Sequence, residues 1–190
     1  MFKKINLLLT VVVLGMLAIM PVNAHTPMLY VDDYGDGTVY LEGGYSDGSS
    51  ASGVEILLVE DKPFANDTKA RDSYLELIFR NEDFIDLRNA YLKYIAEKGN
   101  ESEILKLTKI EGDRVTFNEQ NEEVDFSKLQ PEMYQEKQLI IFRSALDEYS
   151  SLNLPKPDGA YLVVLNGGPG HIVEKKGPVL TDEEREFLSE

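Results

Sequence analysis

Apolar positions along the chain change their spacing from segment to segment, and each change predicts an element. The run Ile5 to Met20 is almost unbroken; Lys3 and Lys4 precede it and Pro21-Val22-Asn23-Ala24 follow it. That order of charged, apolar and small residues is the pattern of a secretory signal peptide. The run is shorter than the roughly 18 apolar residues of a spanning helix, and Val22 and Ala24 put small side chains at the −3 and −1 positions of a cleavage site. The mature protein is therefore expected to begin at His25.

Short apolar or alternating runs follow at Met28 to Val31, Val39 to Leu41 and Val54 to Val59. They are punctuated by Asp33-Tyr34-Gly35-Asp36-Gly37 and by the Gly- and Ser-rich stretch Gly43 to Ser50, which predicts strands joined by tight turns. Asp36-Gly37 suits the positive φ of a primed hairpin turn. From Thr68 to Lys98 the period becomes helical, with Tyr74, Ile78, Phe84, Leu87, Tyr91, Leu92 and Ile95 among charges, a break near Asn81 and an end at Gly99-Asn100. Ile104 to Ile110 and Arg114 to Phe117, around Glu111-Gly112-Asp113, predict a small hairpin. A second amphipathic helix is expected over Glu132 to Tyr149, with Met133, Leu139, Ile140, Phe142 and Leu146 near one face and Pro155 and Pro157 closing the helical section. Strands return at Ala160 to Leu165 and His171 to Val173, and Thr181 with Glu184 forms a capping box for a short acidic tail helix.

These elements predict an α+β protein, a small antiparallel Ig-like β-sandwich with a helical insertion. The expected layout is a signal peptide over 1–24, sandwich halves over 25–65 and 158–180, a mainly helical insertion over 66–157 and the tail helix over 181–190. Composition narrows the function. The chain has 190 residues, formal charge −15, no Cys, no Trp and two His. Removing the first 24 of 190 residues leaves 166, and losing Lys3 and Lys4 takes −15 to −17. So acidic a protein is a poor partner for nucleic acid, which needs clustered Lys and Arg. Without Cys there is no disulfide framework, thiolate metal site, lipid-anchoring lipobox or Cys nucleophile. A chain of this length still buries enough apolar surface to fold unassisted, so export remains compatible with the lack of disulfides.

The two histidines, His25 and His171, are the main chemical signal. Cleavage after Ala24 would make His25 the amino terminus, where its α-amine and imidazole can chelate one metal ion. Terminal amines ordinarily titrate near 7.7–8.0, and a metal displaces the remaining proton. The imidazole of His171 would supply a third nitrogen. Such a set suits Cu(II) by the affinity order of divalent metals, with Ni(II) or Zn(II) as alternatives. Asp32, Asp33, Asp47 and Glu174 are candidate fourth ligands. The plain structural alternative is that His25 is a frayed end and His171 a loop residue bonded to a carbonyl.

Other motifs are weaker. Asp32 to Gly37 is acidic enough to suggest a Ca²⁺ loop but lacks the twelve-residue EF-hand spacing and its terminal Glu. Gly43 to Gly53 is neither a P-loop nor a dinucleotide fingerprint, and Gly167-Gly168-Pro169-Gly170 lacks the Lys and Ser/Thr of a phosphate loop. No Ser sits in a nucleophile elbow, so no catalytic residues are assigned.

Together, His25-Thr26-Pro27, Gly35-Asp36-Gly37-Thr38, the segment Glu42 to Gly53 and Gly168-Pro169-Gly170-His171 resemble a group of small exported proteins of anaerobic bacteria, over roughly 25–60 and 158–178. More loosely, a terminal His with a distant second His is similar to periplasmic copper-carrier β-sandwiches and to the histidine brace of lytic polysaccharide monooxygenases. The first likeness implies a non-enzymatic Cu(II) carrier with His25 and His171 as ligands. The second implies oxidative polysaccharide cleavage, for which the sequence offers no substrate-surface pattern. The leading expectation is thus a periplasmic or extracellular metal-binding protein for delivery or storage, without stable membrane insertion after signal cleavage. Its rival is an envelope protein-interaction module that binds another protein through the helical insertion.

Overall fold

The structure, a computed structural model, describes residues 25–97, 108–111, 114–117 and 126–189; the expected signal peptide lies outside the described residues. Strands β1 (Pro27–Asp33), β2 (Thr38–Tyr45) and β3 (Glu55–Glu60) are followed by helices α1 (Lys69–Arg80) and α2 (Ile85–Glu97). Then come β4 (Thr108–Glu111), β5 (Arg114–Phe117), β6 (Met133–Tyr134), β7 (Gln138–Ala145), β8 (Ser151–Pro155), β9 (Tyr161–Asn166), β10 (Ile172–Lys176) and α3 (Asp182–Ser189). A three-stranded sheet runs β1-β2-β8, a five-stranded sheet β10-β9-β3-β7-β6, and β4-β5 form a separate hairpin. All pairings are antiparallel. The α+β class follows from two antiparallel sheets with helices packed on one of them.

Alternation sets the core. Leu29, Val39, Leu41 and Leu154 from the first sheet join Ile56, Leu58, Phe142, Val163 and Leu165 from the second in one buried cluster. Tyr74, Leu75, Ile78, Tyr91 and Leu92 bring the helices into it, with the Tyr91 ring stacked on Phe142 at 5.0 Å. The opposite parity of the five-stranded sheet gathers Leu57, Val59, Ile140, Val164 and Tyr134 in a second cluster. Arg71, buried in α1, donates to the carbonyls of Phe126, Leu129 and Gln130 and so ties the segment before β6 to the helix. Tyr74 donates to Pro155 O at 2.8 Å. The helical break falls at Asn81, whose ψ of 125° leaves the helix and whose side chain accepts from Asp83 N. Among the described residues, no helix is long and apolar enough to cross a membrane.

Residues Glu132 to Tyr149 are not a helix. They hold β6 and β7, and β8 follows. The apolar run Leu139-Ile140-Ile141-Phe142 is buried throughout, because β7 lies between β3 and β6 and contributes to both clusters. Such a run, apolar without helical spacing, belongs to a strand covered on both faces. The pairing shifts register between Leu58 and Val59, where Ile141 is the extra residue of a bulge. Among the described residues of 66–157, then, helix is confined to α1, α2 and short 3₁₀ turns, while β7 and β8 are integral to the two sheets. The β1–β2 connection also differs from a two-residue turn. It spans Tyr34 to Gly37, with Gly35 and Gly37 at positive φ and the Asp33 and Asp36 side chains accepting from Gly35 N and Thr38 N.

Candidate functional site

The Gly- and Ser-rich segment, expected as a turn but with Gly43 to Tyr45 forming the end of β2, is the platform on which the first histidine rests. Gly43 lies against Leu146 and Leu165; a Cβ there would stand 2.5 Å from Leu146 Cδ1 and 3.1 Å from Leu165 Cδ1. Ser150 Oγ accepts from Ala51 N at 3.0 Å and meets Ser50 Oγ at 2.7 Å, and Gly53 N donates to Leu146 O. The small residues therefore serve close approach to the β7–β8 turn. Within the segment, Asp47 Oδ1 accepts from both Ser49 N and Ser49 Oγ. Those bonds, with a lesser contribution from His25, hold the Asp47 carboxyl below the usual range.

His25 Nδ1 lies 2.7 Å from the other Asp47 oxygen; Ser46 N donates to Thr26 O, extending the β1–β2 ladder to this point, and Thr26 N donates to Ser46 Oγ. His171 arrives from the other sheet. It closes the β9–β10 turn, with Gly167 N donating to His171 O and His171 N to Gly168 O. Asn166 braces the turn: its Oδ1 accepts from Gly168 N, and its Nδ2 donates to Glu55 Oε2 at 2.6 Å on the neighbouring strand. Gly168 and Gly170 take φ of 96° and 80°, which excludes most side chains from this loop. The His171 ring meets Tyr45 edge to face at 6.1 Å, and a Cβ on Gly167 would stand 2.8 Å from Tyr45 Oη. Both histidines thus contact one short segment, Tyr45 to Asp47, at one end of the molecule.

Of the four carboxylates considered as further ligands, Asp47 touches a histidine. Asp33 is paired with Lys156, Glu174 accepts from Tyr134 Oη at 2.5 Å, and Asp32 lies on the outer face of β1. The His171 Nδ1 stands 3.3 Å from Pro169 O, the carbonyl contact that the plain structural alternative expects. Among the described residues, no three His, Cys, Asp or Glu side chains are gathered closely enough to hold a metal ion. A metal at this end would therefore need a donor beyond those side chains.

A second polar cluster was not legible beforehand. The ammonium of Lys156, fully buried, lies 2.6 Å from Asp33 Oδ1 and 2.5 Å from Glu184 Oε1. Burial works to lower its pKa, but the two carboxylates outweigh this and the pKa is raised. The same contact with Lys156, helped by Thr181, holds Glu184 at about 2. Glu184 is also the acid of the capping box, taking Thr181 N at 2.8 Å while its own N–H donates to Thr181 Oγ1. The cluster fastens α3 over the β1–β2 hairpin, where Gly37 packs against Leu188. The buried Tyr161 Oη beside it has no hydrogen-bond partner.

Compared with known proteins, the chain matches no protein-family model, no curated protein and no solved structure.

Proposed function

We propose that the protein is an exported, non-enzymatic metal-binding protein of the periplasm or cell exterior, in which His25 and His171 hold Cu(II) for delivery or storage. The reading is supported by His25 pairing with Asp47 and the His171 ring contacting Tyr45, two positions away on the same segment, although the histidines are 146 positions apart in sequence, 171 less 25. The donor set is completed by the His25 α-amine once the signal peptide is removed. An amine and Nδ1 of the same residue close a six-membered chelate ring, whereas Nε2 is out of reach of its own amine. The metal therefore displaces Asp47 from Nδ1 and leaves that carboxylate beside the ion as an oxygen donor. Nitrogen-rich sets of this kind favour Cu(II), with Ni(II) and Zn(II) as weaker occupants. The two sheets would act as an Ig-like sandwich that carries the histidines on separate layers.

The apolar stripes of α1 and α2 are buried against β7, and of their large apolar side chains Ile85 is exposed. Among the described residues of these two helices, the interaction-module reading has no exposed stripe to rest on. Calorimetric titration with Cu(II) tests the proposal, using protein whose amino terminus is His25 by mass spectrometry, beside His171→Ala and a form with one residue added before His25. One-to-one binding weakened at least tenfold in both altered forms is expected. Binding indifferent to both changes would overturn the metal reading.

A further inference from the structure

The outward face of the three-stranded sheet carries a pattern unrelated to the histidines. Strand alternation turns Leu29, Val39 and Leu41 inward and leaves Tyr30 and Asp32 of β1, with Tyr40 and Glu42 of β2, on the opposite side. Register pairs Tyr30 with Glu42 and Asp32 with Tyr40. Each ring thus has a carboxylate as its direct cross-strand neighbour, and the two pairs alternate in order like squares of a checkerboard. Tyr34 continues the surface, its ring 6.2 Å from Tyr40. Tyr30 and Tyr34 are 53% and 67% exposed, and among the described residues neither Asp32 nor Glu42 makes an ion pair.

A tyrosine face attracts cations through its quadrupole, and an adjacent carboxylate adds direct charge attraction. The chain itself makes the first half of this contact, since Lys175 Nζ from β10 lies 5.7 Å over the Tyr30 ring, and a docked cation at the Tyr30–Glu42 pair would take the place of Lys175. The surrounding charge is complementary to a cation as well, at −15 for the chain. Same-face positions along a strand repeat at about 7 Å, the spacing at which alternate side chains of another extended chain project.

We infer that this face is a docking surface for an extended basic polypeptide segment whose Lys or Arg residues alternate with small residues, each cation resting on one tyrosine–carboxylate pair. The surface lies on the three-stranded sheet's exterior and does not depend on metal at His25. Binding should be steered by charge and weaken with salt, while ring contact sets the register.

The test uses the mature chain and a fluorescein-labelled twelve-residue peptide of alternating Arg or Lys with Ser, followed by anisotropy. A peptide of the same composition with its cations in one block and a neutral cello-oligosaccharide serve as comparators. Asp32→Asn with Glu42→Gln, isosteric and on an exposed face, is expected to weaken the alternating peptide at least tenfold, and Tyr30→Ala similarly, with melting temperature unchanged. Asp86→Asn with Glu183→Gln, which removes the same charge elsewhere, should cost less than threefold. Equal losses in the two charge-neutralised proteins, no preference for the alternating peptide, or face-dependent binding of the oligosaccharide alone would each overturn the inference.

Discussion

Replacing Lys156 by Met tests how α3 is held. Methionine keeps most of the aliphatic stem and deletes the ammonium, so Glu184, whose side chain is 6% exposed, loses its cation inside the structure. Removing one partner of a buried ion pair ordinarily costs about 3–5 kcal/mol. The value here should be smaller, because Asp33 is 40% exposed and regains water. We expect about 2 kcal/mol at neutral pH, which for a domain of this size lowers Tm by about 4–8 °C. The sign with pH follows from the shifts. Glu184 is held at about 2, below its ordinary 4.5, so the pair's stabilisation is present above the ordinary value and is lost as pH falls through the interval between them. Lys156 is raised, so its share persists through neutral pH and is lost as pH rises past 10.5 and through the raised value. Thermal unfolding followed by near-ultraviolet circular dichroism should show wild type and variant converging on acidification from pH 7 to pH 2.5. The double variant Lys156→Met/Glu184→Gln, which leaves no orphan carboxylate at Glu184, should melt above the single one. A single variant melting within 1 °C of wild type at pH 7, or a gap undiminished at pH 2.5, would refute the ion-pair account.

Further outcomes follow from the same structure. Tyr161→Phe removes a buried hydroxyl that has no partner, so stability should be unchanged or higher by up to about 1 kcal/mol, read from urea unfolding. Gly43→Ala places a methyl 2.5 Å from Leu146 Cδ1 and should destabilise by about 1–3 kcal/mol in the same assay. Asn166→Ala frees the turn that presents His171. If the metal proposal holds, it weakens Cu(II) binding several-fold in calorimetry while leaving the number of coordinating nitrogens intact, which separates positioning from ligation.

Legibility differed sharply between elements. The β1–β2 hairpin, the helical break at Asn81, β9, β10 and the Thr181–Glu184 capping box are encoded by neighbours in sequence, through turn residues, alternation and caps, and each is present, although the β1–β2 turn is longer than Asp36-Gly37 and β10 starts at Ile172 and runs on to Lys176. The stretch from Leu139 to Phe142 is decided by distant partners. Its neighbours β3 and β6 cover its edges and two apolar clusters cover its faces, so periodicity held no record of which period applied. The Gly- and Ser-rich segment was legible as a turn, but its docking on Ser150 and Leu146 depends on β7 and β8 and was not. Lys156 could have been noticed as a lone cation between Pro155 and Pro157 after an apolar run; its two acids come from β1 and α3 and carry no sequence signature. The histidine pair was legible in type, since the expected cleavage after Ala24 would single out His25. Tyr45, whose ring packs on His171, lies within the Gly- and Ser-rich segment that reads as a turn, and nothing in its neighbours marks it as a histidine contact.

The most direct measurement of the central claim is Cu(II) electron paramagnetic resonance on mature protein beginning at His25, at one equivalent of copper. The account predicts nitrogen superhyperfine structure from three nitrogens, falling to two in His171→Ala and changing again when a residue precedes His25. A spectrum showing one nitrogen or none, or one identical in all three proteins, would contradict it.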